Sequence, residues 1–308
     1  MGGSGGSGYF ARDPKKAARD LEASQGSSDD QEYQAASNQA LQALLKDVND
    51  RDADAIGRRL DEIKTALNED LEGTLDLRFG GSVAKHTFVD GLSDVDSLVL
   101  LNKSELADLN PVQVKKYFAE RLQAEFGDQA EVAEGQLAVT LRFDDVEIQL
   151  LPAVKTAEGY RIASADSSGW AHITPRDFTI SLTSLNAAHG AKVVPVIKLA
   201  KAILGVMPER QRLSGYHTEA LAVEVFRGYR GPQSLKDMLH YFFSEASSLV
   251  RVPIPDATGQ SGHVDAYLGR TGSLERRLLS DTLDRVARRI RNADAARSVD
   301  QVTALFEG

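Results

Sequence analysis

The order of the hydrophobic patterns constrains the fold of this chain more than any other feature. Apolar residues recur at helical spacing over residues 32–48 and again over residues 53–71. Between residues 74 and 154 the pattern changes to short alternating or continuous apolar runs, which are typical of strands. Strands followed by a block of helices predict an α+β fold rather than a doubly wound parallel sheet. Besides an amphipathic helix at 111–126 within the strand region, helices are predicted at about 175–188, 193–204, 216–226, 232–247 and 273–293.

Three regions follow from these patterns. Residues 1–30 begin with a Gly/Ser tract and stay polar, which predicts a flexible tail. Residues 31–165 are predicted to form a core in which N-terminal helices accompany a mixed sheet, and residues 166–308 a helical C-terminal domain. The expected architecture is therefore an N-terminal helical spine, a mixed sheet and a helical C-terminal half.

Composition excludes several classes of function. The chain of 308 residues contains no cysteine, so a disulfide scaffold, a thiolate nucleophile and a cysteine zinc site are ruled out. A net charge of −9 argues against constitutive binding of long nucleic acid. No apolar run reaches the length that spans a membrane, and the first residues lack a signal-peptide pattern. We therefore expect a cytoplasmic protein without membrane contact.

The segment from residue 80 to residue 96 carries the chemistry. Gly81 and Ser82 belong to a Gly-Gly-Ser turn between a strand and a short helix, where backbone N–H groups and the serine hydroxyl can cradle phosphate oxygens. Asp94 and Asp96 are two residues apart at the start of a strand, so both carboxylates lie on one face. Two carboxylates this close need a cation, and Mg²⁺ prefers a few carboxylates together with phosphate oxygens.

A third carboxylate on a neighbouring strand would complete a two-metal site for phosphoryl transfer. The strand at residues 146–152 offers Glu147 and Gln149 on one face. Taken singly, the Gly-Gly-Ser turn and the Asp-x-Asp pair are more often an ordinary turn and a solvated loop end. Their combination with a second acidic strand favours the metal site.

These residues resemble a known family. Gly81-Ser82, eleven intervening residues and Asp94-x-Asp96 are similar to the signature of DNA polymerase β-like nucleotidyltransferases. With Lys85, Thr87 and Ser93 the string is closest to the oligoadenylate synthetase and cyclic GMP-AMP synthase branch. Within that branch it most resembles the bacterial CD-NTases, the cyclic oligonucleotide synthases of CBASS antiphage operons. The segment at 253–260 also looks like the Asp-Pro-Thr-Gly-Asn segment of oligoadenylate synthetases.

The resemblance implies a polymerase β-like mixed sheet, NTP substrates with ATP favoured, and Mg²⁺ or Mn²⁺ as cofactor. It also implies nucleotide-binding roles. Gly81, Ser82 and Lys85 would bind the nucleotide at the Gly-Gly-Ser turn and just after it. Lys198 and Lys201 would contact the donor triphosphate, and Ser214 and Tyr216 would approach the nucleotide at a helix start, with the tyrosine stacking on a base.

The chain departs from the family at the third metal ligand. Relatives commonly carry a carboxylate three residues before a proline, and this chain has Gln149 there. A neutral amide can coordinate a metal through its oxygen but cannot offset charge or act as a base. Glu147 shares the strand face and has a longer reach than aspartate, so we expect the catalytic metal ligands to be Asp94, Asp96 and Glu147, with Gln149 as the alternative.

The predicted function is synthesis of cyclic or short linear oligonucleotide signals from NTPs. A terminal transferase acting on RNA or protein, and a nucleotide-binding sensor or scaffold with weak catalysis, remain alternatives. A CBASS regulatory or conjugating partner could act at the C-terminus, where Gly308 is the last residue. The arginines of the last long helix alternate with Asp281 and Asp284, which predicts a solvated, salt-bridged face: Arg276, Arg277, Arg285, Arg288, Arg289 and Arg291.

Overall fold

The computed structural model describes residues 14–47, 53–69, 71–79, 95–135, 137–144, 146–164, 169–173, 175–255 and 263–307. Its N-terminal helices are α1 (Pro14–Asp47) and α2 (Ala53–Asn68). The start of α1 differs from the sequence prediction, because the tail expected over residues 1–30 is helical from Pro14 onward. The glycine and serines at residues 26–28 weakened the helical pattern there, but α1 continues through them.

Among the described residues, seven strands form one sheet, and its mixed character confirms the prediction. The order is β1-β2-β5-β4-β3, with β6 paired to β5 and β7 paired to β6. Strands β2 and β5 run parallel, whereas the remaining pairs are antiparallel. The strand bounds are Gly73–Phe79 for β1, Val95–Ser104 for β2, Glu131–Glu134 for β3, Val139–Arg142 for β4, Glu147–Lys155 for β5, Tyr160–Ala163 for β6 and Trp170–Ile173 for β7.

Strands β6 and β7 were not predicted, because the strand pattern was expected to end near Val154. Each has four residues, and polar side chains such as Arg161 and His172 interrupt the apolar pattern. The pairing of β6 with β5 and of β7 with β6 buries Ile162 and Ile173 beside Leu100 and Ala153 in a small cluster of their own. Tertiary pairing rather than local pattern therefore defines this end of the sheet.

The remaining helices lie close to their predicted bounds, except for the short helix Val299–Thr303, which was not predicted. Within the sheet region, α3 begins at a capping box in which Asn110 and Gln113 exchange side-chain and backbone hydrogen bonds. Serine hydroxyls cap the starts of α6, α7, α8 and α9 by accepting a backbone N–H three residues later. The helices are α3 (Pro111–Phe126), α4 (Pro175–Ala188), α5 (Val193–Gly205), α6 (Gly215–Arg227), α7 (Leu235–Leu249), α8 (Leu274–Ala296) and α9 (Val299–Thr303).

Two main hydrophobic cores divide the helices. The sheet packs against α2 and α3, whereas α4 to α9 form a second core of their own. Leu41 and Leu45 of α1 belong to this helical core, although the sequence had assigned the N-terminal helices to the sheet region. The Tyr33 hydroxyl also donates a hydrogen bond of 2.8 Å to the Asp294 carboxylate of α8. The boundary between residues 165 and 166 stays a prediction.

Long apolar helices of the kind that cross membranes do not occur among the described residues.

Candidate functional site

The parallel strands β2 and β5 begin at the same edge of the sheet and place the predicted acidic residues there. The register pairs Asp96 with Gln149, so these two positions lie side by side on one face. Asp94 directly precedes β2 and lies outside the described residues, as do Gly81, Ser82 and Lys85. For Asp96 the backbone is described and the side chain is not. The paired-aspartate site and the Gly-Ser turn therefore stay predictions.

Glu147, the predicted third ligand, is held by an ion pair. Its Oε2 lies 2.9 Å from Nε of Arg142, the residue directly opposite on β4. The Gln149 amide nitrogen lies 3.4 Å from the other carboxylate oxygen of Glu147. Arg142 also approaches Glu131 at 3.5 Å. The pKa of the Arg142 guanidinium is raised by the hydrogen bond that it donates to Glu147 and by the charge of that carboxylate. A metal ligated by Glu147 would therefore have to share this carboxylate with Arg142.

The donor set at this edge suits a hard cation. Asp96, Glu147 and Gln149 offer oxygen atoms alone, which are the ligands that Mg²⁺ and Mn²⁺ prefer. Among the described residues, no group of three His, Cys, Asp or Glu side chains could by itself hold a metal. A metal site at this edge would need further ligands, and Asp94 and Asp96 stay the predicted ones.

The two lysines predicted to contact a triphosphate lie on α5, in different surroundings. Lys198 is half-buried, whereas Lys201 is buried. Nζ of Lys201 lies 2.9 Å from Oε1 of Glu219 on α6, and the two side chains are 6% and 1% exposed. A Cβ at Gly215 would lie 3.5 Å from the same nitrogen, so the Lys201 ammonium is close to the start of α6. The structure thus brings Lys201 together with the predicted nucleotide-binding helix start.

The start of α6 is built from Ser214 and the residues that follow it. The Ser214 hydroxyl accepts a hydrogen bond of 3.2 Å from the His217 backbone N–H, which leaves its own proton available for donation. Tyr216 is half-buried, and its ring meets Phe178 edge to face at 5.1 Å. A helix N-terminus with a serine hydroxyl and a nearby lysine favours binding of an anion such as a phosphate.

A polar cluster beneath this helix start was not predicted from the sequence. The His217 ring is fully buried, with Nδ1 at 2.9 Å from the Tyr267 hydroxyl and Nε2 at 3.7 Å from the Asp265 carboxylate. Burial, together with the charge of Arg276, lowers the pKa of His217 to about 4 against the opposing effect of Asp265. His217 is therefore neutral near pH 7.

Asp265 is held as a buried carboxylate. Burial by itself would raise its pKa, but hydrogen bonds from Arg276 and from the Ile254 N–H outweigh burial and keep the pKa below its ordinary value. The guanidinium of Arg276 lies 2.7 Å from Asp265 and also donates to the carbonyl oxygens of Val250, Val252 and Gly269. A buried charge pair with this many hydrogen bonds fixes the segment that follows residue 263.

Arg276 corrects one sequence interpretation. The arginines of α8 were expected on a solvated face, and Arg288 does form an exposed pair with Asp284. Arg276 is instead 0% exposed. Its spacing contains the missed signal, because Arg276, Leu279 and Leu283 follow one another at helical intervals and all lie on the buried stripe of α8.

Comparison with known proteins places the fold. Residues 36–186 match the family of Second Messenger Oligonucleotide or Dinucleotide Synthetase domains. No curated protein matches the sequence. Escherichia coli MS115-1 CdnC, solved as a complex with HORMA-deltaN, is 16% identical, with a TM-score of 0.64 over 87% of this chain and 95% of that chain.

Two further solved structures share the fold. Vibrio cholerae DncV, a cyclic AMP-GMP synthase, is 13% identical, with a TM-score of 0.63 over 94% of this chain and 88% of that chain. Elizabethkingia meningoseptica CdnE, a cyclic dinucleotide synthase solved with GTP and Apcpp, is 13% identical, with a TM-score of 0.56 over 75% of this chain and 90% of that chain. Residues 36–186 therefore form a domain of this synthetase family, and the chain has the polymerase β-like fold of nucleotidyltransferases of the cyclic oligonucleotide synthase kind.

Proposed function

We propose that this protein joins nucleoside triphosphates, ATP among them, into cyclic or short linear oligonucleotide second messengers that act in antiphage defence. One observation carries the proposal: the synthetase-domain match over residues 36–186 includes both the Gly-Ser turn and the paired aspartates at the start of β2. Related structures support the substrate class, because DncV was solved with the linear intermediate 5′-pppA(3′,5′)pG and CdnC with ATP.

The roles of the residues follow from their chemistry. Gly81, Ser82 and Lys85 would hold the donor triphosphate at the turn, and Lys198, Lys201 and Ser214 would contact it from the helical half, where Tyr216 would stack on a base. An acceptor hydroxyl oxygen forms a bond to the α-phosphorus while the bond from that phosphorus to pyrophosphate breaks. The hydroxyl proton passes to a carboxylate of the Asp94 and Asp96 pair.

We propose that Asp94, Asp96 and Glu147 hold Mg²⁺ or Mn²⁺. A cation bound there would lower the pKa of the attacking hydroxyl and offset the charge of the leaving pyrophosphate. The position of Gln149 beside Asp96 and the ion pair between Glu147 and Arg142 make the third ligand the point to test.

Glu147→Gln should lower kcat by roughly a hundredfold or more, as expected for a lost ligand of the reaction centre. Glu131→Gln is the matched control, because Glu131 also contacts Arg142 but is 69% exposed on β3, and it should leave kcat within about twofold. Unchanged turnover in Glu147→Gln together with faster turnover in Gln149→Asp would instead assign the third ligand to position 149.

The proposed function is tested by product analysis. The purified protein is incubated with labelled NTPs and Mg²⁺, treated with phosphatase and resolved by chromatography. We expect phosphatase-resistant label that is absent from the double variant Asp94→Ala/Asp96→Ala. The variant Asp281→Ala/Asp284→Ala removes two acidic residues from α8 and should keep full activity.

Other outcomes identify other functions. Label transferred to added RNA or to protein would indicate a terminal transferase. NTP binding without turnover would indicate a nucleotide sensor, for which the neutral Gln149 beside Asp96 is the supporting observation. If the protein neither binds nor turns over any NTP, the nucleotidyltransferase proposal is refuted.

A regulatory protein partner is a second part of the proposal. CdnC was solved with HORMA-deltaN, and the similarity of its fold to this chain supports a partner of that kind here. Conjugation through Gly308 is a separate possibility for the C-terminus. Deleting Gly308 should abolish covalent adducts in cells that contain the partner, and unchanged adducts would refute conjugation at this residue.

A further inference from the structure

Tyr267 joins the start of α6 to the buried cluster beneath it. The residue lies in a single 3₁₀ turn, Ala266–Leu268, and its hydroxyl oxygen is 3.3 Å from the Ser214 backbone nitrogen and 2.9 Å from Nδ1 of His217. Ser214 is the residue that caps α6. One phenol oxygen therefore contacts the cap residue and the first turn of the helix at which nucleotide binding is proposed.

The Ser214 backbone N–H can only donate, whereas the direction of the hydrogen bond between Tyr267 and His217 depends on the tautomer that Asp265 favours. The Asp265 carboxylate, fixed by Arg276 and the Ile254 N–H, lies 3.7 Å from Nε2 of His217. A carboxylate at this nitrogen favours the tautomer that carries its proton on Nε2, which leaves Nδ1 as an acceptor. The Tyr267 hydroxyl then donates to His217 and accepts from the Ser214 N–H.

Ser214 is thereby held by two hydrogen bonds, one at its backbone and one at its side chain. Its N–H donates to Tyr267, and its side-chain oxygen accepts from the His217 N–H in the first turn of α6. Both contacts fix the direction in which the Ser214 hydroxyl and the first N–H groups of the helix point. Such orientation matters where a helix N-terminus has to meet an anion at hydrogen-bond distance.

Tyr267 gains little from burial itself, because 54% of the residue is exposed. A tyrosine whose only task was to fill the core would be expected to bury its ring and to leave the hydroxyl at the surface. Here the hydroxyl is the part that the protein engages, through Ser214 and His217, while much of the side chain faces solvent. The placement of the oxygen atom is therefore the feature that needs a function.

We propose that Tyr267 is a positioning residue of the nucleotide site, which sets the geometry of Ser214 and Tyr216 through its hydroxyl and is itself oriented by His217, Asp265 and Arg276. The inference rests on the proposed function, since it assumes that the start of α6 receives the triphosphate of an NTP. It adds a residue that touches the helix cap and acts through it.

The test is Tyr267→Phe in the full chain, which removes one oxygen atom and keeps the ring. Binding of the α,β-methylene analogues of ATP and GTP is measured with Mg²⁺ by calorimetry, alongside the melting temperature. We expect Kd to rise by roughly three- to tenfold, the scale of one lost hydrogen bond, and KM to rise in parallel with a smaller change in kcat. The melting temperature should fall by no more than a few degrees.

Tyr229→Phe is the matched control. Tyr229 follows the other end of α6, and its hydroxyl donates to the carbonyl oxygen of Pro232. The control removes a phenol hydroxyl that makes one hydrogen bond, whereas Tyr267→Phe removes one that makes two, so the control should lower the melting temperature by no more than Tyr267→Phe does and leave Kd unchanged.

Three results would overturn the role of Tyr267, and they are distinguishable. Equal Kd values for wild type, Tyr267→Phe and Tyr229→Phe would refute the positioning role alone. An equal rise of Kd in both variants would also refute it, because the effect would then report general loosening of α6. Absence of analogue binding by the wild type would refute the proposed function first, and the role of Tyr267 with it.

Discussion

The buried ion pair between Lys201 and Glu219 gives the sharpest energetic prediction. At 2.9 Å the two charges attract by about 6 kcal/mol at an effective dielectric constant of about 20, before the cost of removing them from water is subtracted. Because Glu219 is 1% exposed, Lys201→Met would leave its carboxylate buried beside an apolar group. We expect the free energy of unfolding to fall by about 3–5 kcal/mol, and a similar loss for Glu219→Leu.

The double variant Lys201→Met/Glu219→Leu should recover most of this loss, because neither charge is then left alone. Urea denaturation of the wild type, the two single variants and the double variant gives the coupling energy between the two side chains. The control cycle uses Arg227 and Glu224 on the same helix, which pair at 2.8 Å but are 64% and 40% exposed, and it should give a coupling of at most about 1 kcal/mol. Equal coupling energies in the two cycles would refute the reasoning from burial.

The same double variant tests the nucleotide-binding role predicted for Lys201. If the ammonium contacts a triphosphate, the double variant should be nearly as stable as the wild type but should bind NTP analogues several-fold more weakly. Recovered stability with an unchanged Kd would show that Lys201 serves the helix packing between α5 and α6 alone.

Two further predictions concern the cluster beneath α6. Arg276→Met should lower the free energy of unfolding, measured by urea denaturation, by about 3–5 kcal/mol, because it leaves the Asp265 charge unpaired in the interior. The control Arg277→Met, on the exposed side of α8, should change this free energy by less than about 0.5 kcal/mol. Similar losses in the two variants would contradict the burial of Arg276. The pKa of His217 is lowered from 6.5 to about 4, so between pH 4 and pH 6.5 the unfolded chain binds a proton that the folded chain does not. The contribution of His217 to stability is therefore present above pH 6.5 and is lost as the pH falls toward 4. In urea denaturation at a series of pH values, the free energy of unfolding should fall by up to about 1.4 kcal/mol per pH unit in this range. An equal dependence on pH in the variant His217→Gln would contradict this assignment.

The sequence predicted the elements whose signals are local. The amphipathic pattern at residues 111–126 matches α3 at both ends, because a Pro at its first position and an Asn cap before it define its start. The presence of a mixed sheet was also predictable, because short strand patterns lie between the N-terminal and C-terminal helical patterns. Strands β6 and β7 escaped because polar side chains such as Arg161 and His172 interrupt their apolar pattern.

The candidate site shows where sequence reasoning has to stop. Alternation along β5 correctly placed Glu147 and Gln149 on one face, but only the register between β2 and β5 sets Gln149 beside Asp96. That register joins strands about fifty residues apart and has no local signal. The pairing of Glu147 with Arg142 likewise depends on the neighbouring strand β4.

Arg276 shows a second limit. A charged residue is taken for a surface group unless its partners are known, and its partners here are an aspartate and carbonyl oxygens that lie in other segments of the chain. The helical spacing of Arg276 with Leu279 and Leu283 was the available clue. A charge on the apolar stripe of a helix is a reason to expect a buried partner.

The packing of α1 has a consequence for how the protein is made. Leu41 and Leu45 of α1 find their apolar neighbours on the helices that follow the sheet, and Tyr33 finds its hydrogen-bond partner at Asp294 of α8. During synthesis at about 5–20 residues per second, α1 must therefore wait for most of the chain to leave the ribosome before it can bury this face. The sheet, whose strands and packing helices all lie between residues 53 and 173, can fold in that interval. The helical half can therefore close around α1 only after α8 has been synthesised.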